Sequence, residues 1–344
     1  ADNPKVLLSL SHTRLAFSET GDTPGPVIRI KDLPDHLTVD WEECFLEGEV
    51  RDFEGVKSIA INGTPLITRT SKLVFFNFLV PLEVGDNTIM IEAESVSGEI
   101  ESKRLFIERK LNDVQKIGSR LNLAVLPIRY HGEREEIKDL VYESLIQHFV
   151  NQARFQIVDR ERVDGLLDRI KEKEKGEEEG KPSWIELGRL VSAEGVIVGS
   201  AYFFDDYLEI LARAVDTETT VVMDSEEVFG PVQTLKDIHL LAEGLSLKFK
   251  QAFPLAEGHI VAMNTDTIQI DLGEKDRILP YSKVLFFREG EALKLPGSER
   301  IVEKRFIILG EGRIKKLYES SSETTLISGG DTTEIEVNDR VITK

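Results

Sequence analysis

The apolar residues of the chain follow three different patterns, and each pattern predicts a different arrangement of secondary structure. Between residues 24 and 110, short runs of alternating apolar and polar residues are separated by turn residues at roughly ten-residue spacing. The pair Asn62-Gly63 follows one such run, and both residues accept the positive φ of a tight hairpin. Six or seven short strands with this spacing are typical of a β-sandwich. We therefore predict a sandwich over residues 24–110.

Between residues 119 and 254, strand-like runs alternate with helical stripes. A buried run at 121–127 is followed by apolar residues at helical spacing over 135–152, and further strand and helix patterns follow. An antiparallel strand pair over 208–223 and a last amphipathic helix over 235–253 complete the region. Helices that interleave with strands before an antiparallel pair predict a mixed α/β domain.

Residues 255–344 return to short strands separated by turns, a rhythm that predicts a small β-barrel. Within this region, Gly310-Glu311-Gly312 is expected to form a hairpin followed by a strand. Glycines that bind phosphate lie at the N-terminus of a helix. Because a strand follows these glycines, we do not expect them to bind phosphate.

Three parts of the chain are candidates for contacts with another protein. Residues 1–23 form an N-terminal extension, which we expect to pack on its own chain or to pair with the sheet edge of a neighbouring subunit. The charged run 171–181 is expected to be a solvated loop, or alternatively the place where a ring neighbour docks. Trp184 is expected in the core, or else as an exposed anchor for a partner. The interaction candidates are Val6, Leu8, Leu10, Lys171, Lys173, Lys175 and Trp184.

The pair Asp159-Arg160, at the end of a predicted strand, is a candidate structural anchor. We expect Asp159 to cap the N-terminus of the next helix and Arg160 to bridge to a neighbouring element. A role in binding a partner is the alternative.

Composition and charge exclude several functions. The length of 344 residues suggests two or three domains. The net charge of −19 argues against nucleic-acid binding, which needs clustered lysine and arginine. No run reaches the approximately 20 apolar residues of a membrane-spanning helix. The single cysteine, Cys44, excludes an internal disulfide and is expected in the core.

The sequence offers little catalytic chemistry. Its six histidines lack metal-ligand spacing, and no nucleophile motif or nucleotide-binding loop occurs. The acid clusters lack the dense alternation of a calcium loop. We therefore expect no enzyme activity, no metal and no cofactor. A hydrolase that uses a carboxylate pair is the least favoured alternative. The two acid clusters are Asp271 with Glu274 and Asp276, and Asp331 with Glu334.

Segments of all three regions resemble exported bacterial proteins. LEGEVRDFEGVKSIAINGTPL and FNFLVPLEVGDNTIMIEAES resemble bacterial immunoglobulin-like modules. NLAVLPI, FQIVDRERVDGLL and LGRLVSAEGVIVGSAYFF resemble the periplasmic domain shared by curli-secretion lipoproteins, the TolB N-terminal domain and the flagellar H-ring protein. LGEGRIKKLYESSSETTLI and IEVNDRVITK resemble the SH3-like C-terminal domain of the H-ring family.

These resemblances imply an envelope protein without chemistry of its own. They imply a spacer or docking module at the N-terminus and a periplasmic or extracellular location. The sequence departs from the pattern of these families in two ways. Thr219-Thr220 replaces the usual turn glycine, and no strand pair is suited to insertion in a bilayer. The resemblance therefore does not imply a curli-type pore.

The expected function is that of a scaffold or assembly protein. We expect it to be a subunit of a ring or filament that serves a secretion, flagellar or surface-appendage machine. Its partners would be other envelope proteins and further copies of itself, with no nucleic acid and no membrane-spanning segment. A periplasmic module that binds a peptide, glycan or small ligand is the alternative.

Overall fold

The chain is mostly β-structure and is organised around three main sheets. Within the described part of the chain, no helix is long and apolar enough to cross a membrane. The computed structural model describes residues 25–66, 69–110, 120–166, 184–290, 293–294, 301–303, 306–329 and 335–344.

The first sheet has seven strands, in the order β1-β3-β6-β7-β2, with β4 and β5 also paired to β3. The strands are β1 (Val27–Ile30), β2 (His36–Val39), β3 (Glu43–Ile61), β4 (Thr64–Leu66), β5 (Ser71–Pro81), β6 (Gly85–Ser95) and β7 (Ile100–Arg109).

Strand β3 explains why this region differs from the predicted sandwich. Its first half pairs with β1 and β5, and its second half with β4 and β6, with a register shift between Arg51 and Val56. At the bend, Asp52 Oδ1 accepts the N–H groups of Glu54 and Gly55, at 2.9 and 2.8 Å. The region is therefore one hydrogen-bonded sheet that curls on itself, where two separate sheets were expected. The immunoglobulin-like assignment stays a prediction.

Two finer expectations for this region are confirmed. Asn62 and Gly63 form the turn between β3 and β4, with φ of 48° and 77°. Cys44 is fully buried, and this burial raises the pKa of its thiol to about 12.

The central domain is a six-stranded mixed sheet, in the order β10-β8-β11-β12-β13, with β9 also paired to β11. The pairs among β8, β9, β10 and β11 are parallel, and the β11-β12-β13 meander is antiparallel. Residues 160–166 are helical as well. The elements are β8 (Asn122–Val125), β9 (Arg129–His131), α1 (Glu135–Asn151), β10 (Gln156–Ile157), α2 (Trp184–Leu190), β11 (Gly195–Phe204), β12 (Tyr207–Asp216), β13 (Val222–Pro231) and α3 (Leu235–Ala252).

Helices α1 and α3 cover one face of this sheet. Their apolar stripes bury Phe149 and Phe249 against strand residues such as Ile210. Asp237 Oδ2 accepts the N–H of Thr234 at 2.7 Å, which caps the start of α3. On the opposite face, helix 160–166 and α2 cover one end by packing on Val196 and its neighbours. At the other end, the ring of Phe75 from the N-terminal sheet contacts Tyr207 and Phe229, and the part between is uncovered.

The third region is a closed six-stranded barrel, in the order β14-β15-β20-β19-β16-β21, with a separate two-stranded hairpin β17-β18. A small barrel was predicted; its SH3-like kinship stays a prediction. The strands are β14 (Glu257–Met263), β15 (Ile268–Ile270), β16 (Lys283–Glu289), β17 (Leu293–Lys294), β18 (Ile301–Glu303), β19 (Phe306–Leu317), β20 (Ser322–Gly329) and β21 (Arg340–Thr343).

The expected hairpin at Gly310-Glu311-Gly312 is wrong. These residues lie inside β19, paired with β16 on one side and β20 on the other. A Cβ on Gly312 would lie 2.7 Å from the ring of Phe286. Glycine at position 312 therefore leaves room for an aromatic ring in the barrel. Glycines at this spacing are also typical of a turn, so the sequence did not distinguish the two cases.

Buried contacts join the N-terminal sheet to the central domain. The Phe45 ring belongs to the core of the central domain and packs against Gly244 of α3. Beside it, Lys248 Nζ lies 2.7 Å from Glu47 Oε2, and both side chains are at most 10% exposed. Glu47 Oε1 also accepts the N–H of Phe229 on β13.

The barrel is joined to the central domain in the same way. Lys283 and Lys344 place their Nζ atoms 2.9 and 2.7 Å from Glu194 Oε1. Arg313 Nη2 lies 3.4 Å from Asp216 Oδ2, and both side chains are 5% exposed. Because buried charges are costly unless they are paired, these contacts fix the barrel against the central sheet.

Candidate functional site: an uncovered sheet face of the central domain

The most exposed part of the central sheet is the face that points away from α1 and α3. Side chains alternate between the faces along each strand, and directly paired residues share a face. The pairs Arg129–Ser200, Val198–Arg213 and Arg213–Ser225 place these residues on the uncovered face. The same rule adds His131, Tyr202, Phe204, Tyr207, Glu209, Leu211, Glu227 and Phe229.

This face forms a groove with a volume of about 350 Å³. The described helices that pack on this side reach only as far as Val198. On the β13 side, Phe75 of the N-terminal domain lies edge-on to Phe229, with ring centroids 5.0 Å apart. The groove between these boundaries is lined by Pro127, Arg129, Val198, Gly199, Ser200, Tyr202, Leu211, Ala212, Arg213 and Ser225.

Two arginines give the groove its charge. Arg129 and Arg213 are both exposed, and neither guanidinium has an ion pair or a hydrogen bond to any described residue. The chain has a net charge of −19, so its carboxylates outnumber its cations. For comparison, Arg288 and Arg313 each pair with carboxylates. The groove therefore presents guanidinium groups that are available to a carboxylate from outside.

Aromatic rings continue the face beyond the arginines. The His131 and Tyr202 rings are stacked, with centroids 4.7 Å apart. Further along the strands, Phe229 stacks on Tyr207 and on Phe204, with centroids 5.2 and 6.3 Å apart. Phe204 leaves 46% of its surface exposed. Exposed aromatic rings beside arginines are typical of protein-binding surfaces.

One carboxyl on this face has a shifted pKa. Burial and the charge of Glu227 raise the pKa of Glu209, while Lys31 opposes the shift. Lys31 Nζ lies 2.7 Å from Glu227 Oε1, so the carboxylate of Glu227 already has a partner. Among the described residues of the face, Glu209 has no ion pair, and the arginines without one are Arg129 and Arg213.

Most of the interaction candidates from the sequence lie outside the described residues: Val6, Leu8, Leu10, Lys171, Lys173 and Lys175. Trp184 is the first residue of α2, and its interaction role stays a prediction.

The candidate anchor Asp159-Arg160 lies at the start of helix 160–166. Asp159 Oδ1 accepts the N–H of Glu161 at 3.2 Å. Arg160 donates from Nη1 to Glu143 on α1 at 3.0 Å and from Nε to Asp164 at 3.1 Å. The arginine therefore links the two helices, and the anchor role of the pair stays a prediction.

The acids of the first cluster accept hydrogen bonds from backbone N–H groups. Asp271 Oδ1 accepts the N–H of His259 at 2.6 Å, and Asp276 Oδ2 accepts the N–H of Gly273 at 2.8 Å. Among the described residues, no group of three or more histidine, cysteine or acidic side chains converges as a metal site. Asp331 and Glu334 lie outside those residues.

The sequence did not single out Arg129 or Arg213. Arg213 interrupts the alternation of a strand with a charge, and Arg129 follows a buried strand, but these are weak signals. Only the strand pairing brings the two arginines to one face.

Comparison with known proteins gives only partial likenesses. No protein-family model matches the chain, and no curated protein is similar to it. Solved structures resemble parts of it. The C-terminal domain of LpoB from Salmonella enterica has a TM-score of 0.27 and 16% identity, and the match covers 34% of this chain and 89% of that one. The lipoprotein GNA1162 from Neisseria meningitidis has a TM-score of 0.26 and 11% identity, over 32% of this chain and 79% of that one.

TolB from Acinetobacter baumannii, a member of a family that the sequence resembles, has a TM-score of 0.25 and 10% identity. That match covers 44% of this chain and 36% of TolB. Scores this low are too weak to transfer a function from any of these proteins to this chain. The immunoglobulin-like, SH3-like and flagellar assignments stay predictions.

Proposed function

We propose that this chain is a non-enzymatic, exported protein of a bacterial envelope that acts by binding other envelope proteins. We propose further that it docks a carboxylate-bearing segment of a partner protein on the uncovered face of the central sheet. One observation carries this docking: Arg129 and Arg213 are exposed on the same sheet face, without an ionic partner among the described residues.

The chemistry of the groove favours an acidic protein segment. A guanidinium binds a carboxylate through two parallel hydrogen bonds, which a point charge such as lysine cannot offer. The ring of Tyr202 lines the groove with both arginines, and the ring of Phe204 lies further along the same strand. Both rings supply apolar contact area at low entropic cost. The overall negative charge of the chain is screened beyond about 8 Å at physiological ionic strength. Local complementarity at the groove therefore decides the contact.

The packing of the domains supports a scaffold role. The Glu47–Lys248 pair and the Glu194 cluster join the central domain to its neighbours through buried contacts. A docking face on a body joined in this way positions its partner relative to the rest of the chain. The envelope location, the N-terminal spacer module and the ring or filament context rest on the sequence resemblances.

Site-specific photocrosslinking in the native host tests the docking. A photoreactive residue replaces Ser225, which is exposed on the groove, and Ser102 of the N-terminal sheet is the matched control position. We expect position 225 to crosslink to an acid-rich segment of a different protein, identified by mass spectrometry of the joined peptides. The double variant Arg129→Glu/Arg213→Glu should abolish the crosslink, and replacing the partner's acid by arginine should restore it.

Three outcomes contradict the docking. Crosslinks between two copies of this chain would make a second copy the occupant of the face. Equal crosslinking from position 102 would remove the specificity of the groove. Crosslinking that survives the double charge reversal would show that the arginines do not bind the partner.

Self-assembly is a separate part of the proposal. Light scattering across a wide concentration range measures it, because the monomer mass is 38.8 kDa. We expect the mass to grow with concentration, and electron microscopy then distinguishes a ring from a filament. A mass that stays at the monomer value at the highest concentration would contradict assembly by the chain alone.

A further inference from the structure

A second concave site lies where the three domains meet, away from the uncovered face. It is a cavity of about 320 Å³ between the β2–β3 connection, the end of α1 and the end of α3. Pockets that bind small molecules start at about 300 Å³, so this volume suits a small ligand. All three domains contribute to its walls, because Leu255 begins the barrel region.

Arg154 is the most unusual residue of this cavity. It is only 4% exposed. Its Nε donates to the carbonyl of Phe253 at 2.5 Å, and its Nη2 to the carbonyl of Lys344 at 3.1 Å. Its Nη1 is buried and has no hydrogen-bond partner among the described residues. Buried donors are nearly always satisfied, so an unsatisfied guanidinium nitrogen on a residue that lines the cavity points to an anion that binds there.

Two more cations line the same cavity. Burial and the nearby positive charge of Arg120 lower the pKa of Arg154 to about 10. Lys250 lines the wall formed by α3, and burial lowers its pKa as well. Its Nζ is 3.3 Å from Gln152 Oε1. The wall therefore carries three cations beside four carboxylates, those of Asp40, Glu42, Glu43 and Glu243, so groups of both charges face the cavity.

Two carboxylates of the wall, Glu43 and Glu243, have no salt bridge to a lysine or arginine among the described residues. Burial and the charge of Glu43 raise the pKa of Glu243. In the part of the chain that the structure describes, the basic atom within 4 Å of Glu243 is Nδ1 of His148, at 3.9 Å from Oε1. Glu42, by contrast, lies 3.5 Å from Arg109 Nη2. An anion alone would satisfy Arg154 but would leave Glu43 and Glu243 repelling each other.

We propose that this cavity binds a small zwitterion of the amino-acid or dipeptide class. The carboxylate of the ligand is bound by Arg154 Nη1 together with Arg120. Its ammonium group faces Glu43 and Glu243. The site shares no residue with the uncovered face, so the two proposals succeed or fail separately.

Melting temperatures of the full chain, measured with three probes at equal ionic strength, test the proposal. Glycyl-L-alanine carries both charges of the proposed ligand. Sodium acetate supplies only the negative charge, and methylammonium chloride supplies only the positive charge. At a concentration of a hundred times its Kd, glycyl-L-alanine should raise the melting temperature by about 2–5 °C. The two single-charge probes should have smaller effects. Arg154→Lys should lose the response, because an ammonium cannot reproduce the guanidinium geometry.

A second variant covers the case in which Arg154→Lys does not fold, since that change removes hydrogen bonds between domains. Glu243→Gln keeps the shape of the side chain and removes one charge that faces the ammonium. It should weaken glycyl-L-alanine binding about tenfold in calorimetry and leave acetate binding unchanged. Glu135→Gln on the exposed first turn of α1 is the matched control and should bind like the wild type.

Several results would overturn the site. An absence of any shift with glycyl-L-alanine would exclude binding. Equal shifts with all three probes would reflect a general salt effect, and an acetate shift as large as that of the dipeptide would exclude the zwitterionic assignment. Loss of the dipeptide response in Arg129→Ala/Arg213→Ala would place the binding on the uncovered face instead.

Discussion

The contact between Phe45 and Gly244 allows the docking of the N-terminal sheet onto α3 to be tested quantitatively. A Cβ on Gly244 would lie 2.4 to 2.6 Å from three ring atoms of Phe45, closer than any normal contact. The ring is 4% exposed and belongs to the packed core of the central domain. Over-packing of this kind costs about 1–3 kcal/mol. Replacing a helix-interior glycine by alanine gains about 1 kcal/mol.

A double-mutant cycle separates the steric clash with Phe45 from the gain in helix propensity. Gly244→Ala in the wild type should lower the free energy of unfolding by up to about 2 kcal/mol, the clash less the helix gain. In the Phe45→Leu background the ring is absent, so the same change should be neutral or stabilising. The coupling energy between the two positions should therefore be about 1–3 kcal/mol.

Urea unfolding, followed both by circular dichroism and by tryptophan fluorescence, measures the cycle. Trp41 is buried in the N-terminal sheet and reports on that domain. Gly165→Ala in helix 160–166 is the control, since no described atom lies within 4 Å of its Cβ. It should stabilise by about 0.5–1 kcal/mol in both backgrounds. An identical effect of Gly244→Ala with and without the Phe45 ring would refute the docking of the domains described above.

Three further outcomes follow from buried ionisable groups. Burial raises the pKa of Glu226 to about 7 from 4.5, so its ionisation destabilises the fold as the pH rises between these values. Glu226→Gln should remove about 1–2 kcal/mol of that loss, measured by urea unfolding from pH 5 to 8. Cys44, fully buried and with a pKa of about 12, should react with a thiol reagent only when urea unfolds the chain. Although burial favours its neutral form, hydrogen bonds from Lys344 and Lys283 lower the pKa of Glu194. Its stabilisation is therefore present above the unfolded pKa and lost as the pH falls through the folded one. Glu194→Gln should cost about 2–4 kcal/mol at pH 7 and progressively less in acid.

The local elements of this protein could largely be predicted from the sequence. The apolar stripe over 135–152 became α1, and the runs flanking Asn62-Gly63 became a hairpin. These features depend on interactions between residues a few positions apart, which a single sequence contains in full. The division into strand-rich, mixed and strand-rich regions has the same origin.

Predictions that depended on distant partners were less successful. Gly310-Glu311-Gly312 carries the composition of a turn, yet Phe286 from another strand requires glycine there inside a strand. The N-terminal region had the strand rhythm of a sandwich. One strand, β3, pairs with both halves and makes a single curled sheet.

The chain by itself determined the type of most elements and the burial of Cys44. The tertiary structure alone decided which charged residues meet. Arg129 and Arg213 are 84 positions apart and reach one face through the pairing of β9, β11 and β12. Arg154 becomes an unsatisfied buried donor only because Phe253, Lys344 and the three domains close around it. Charge and hydrogen-bond satisfaction depend on distances through space, and these are fixed only when the sheets pack.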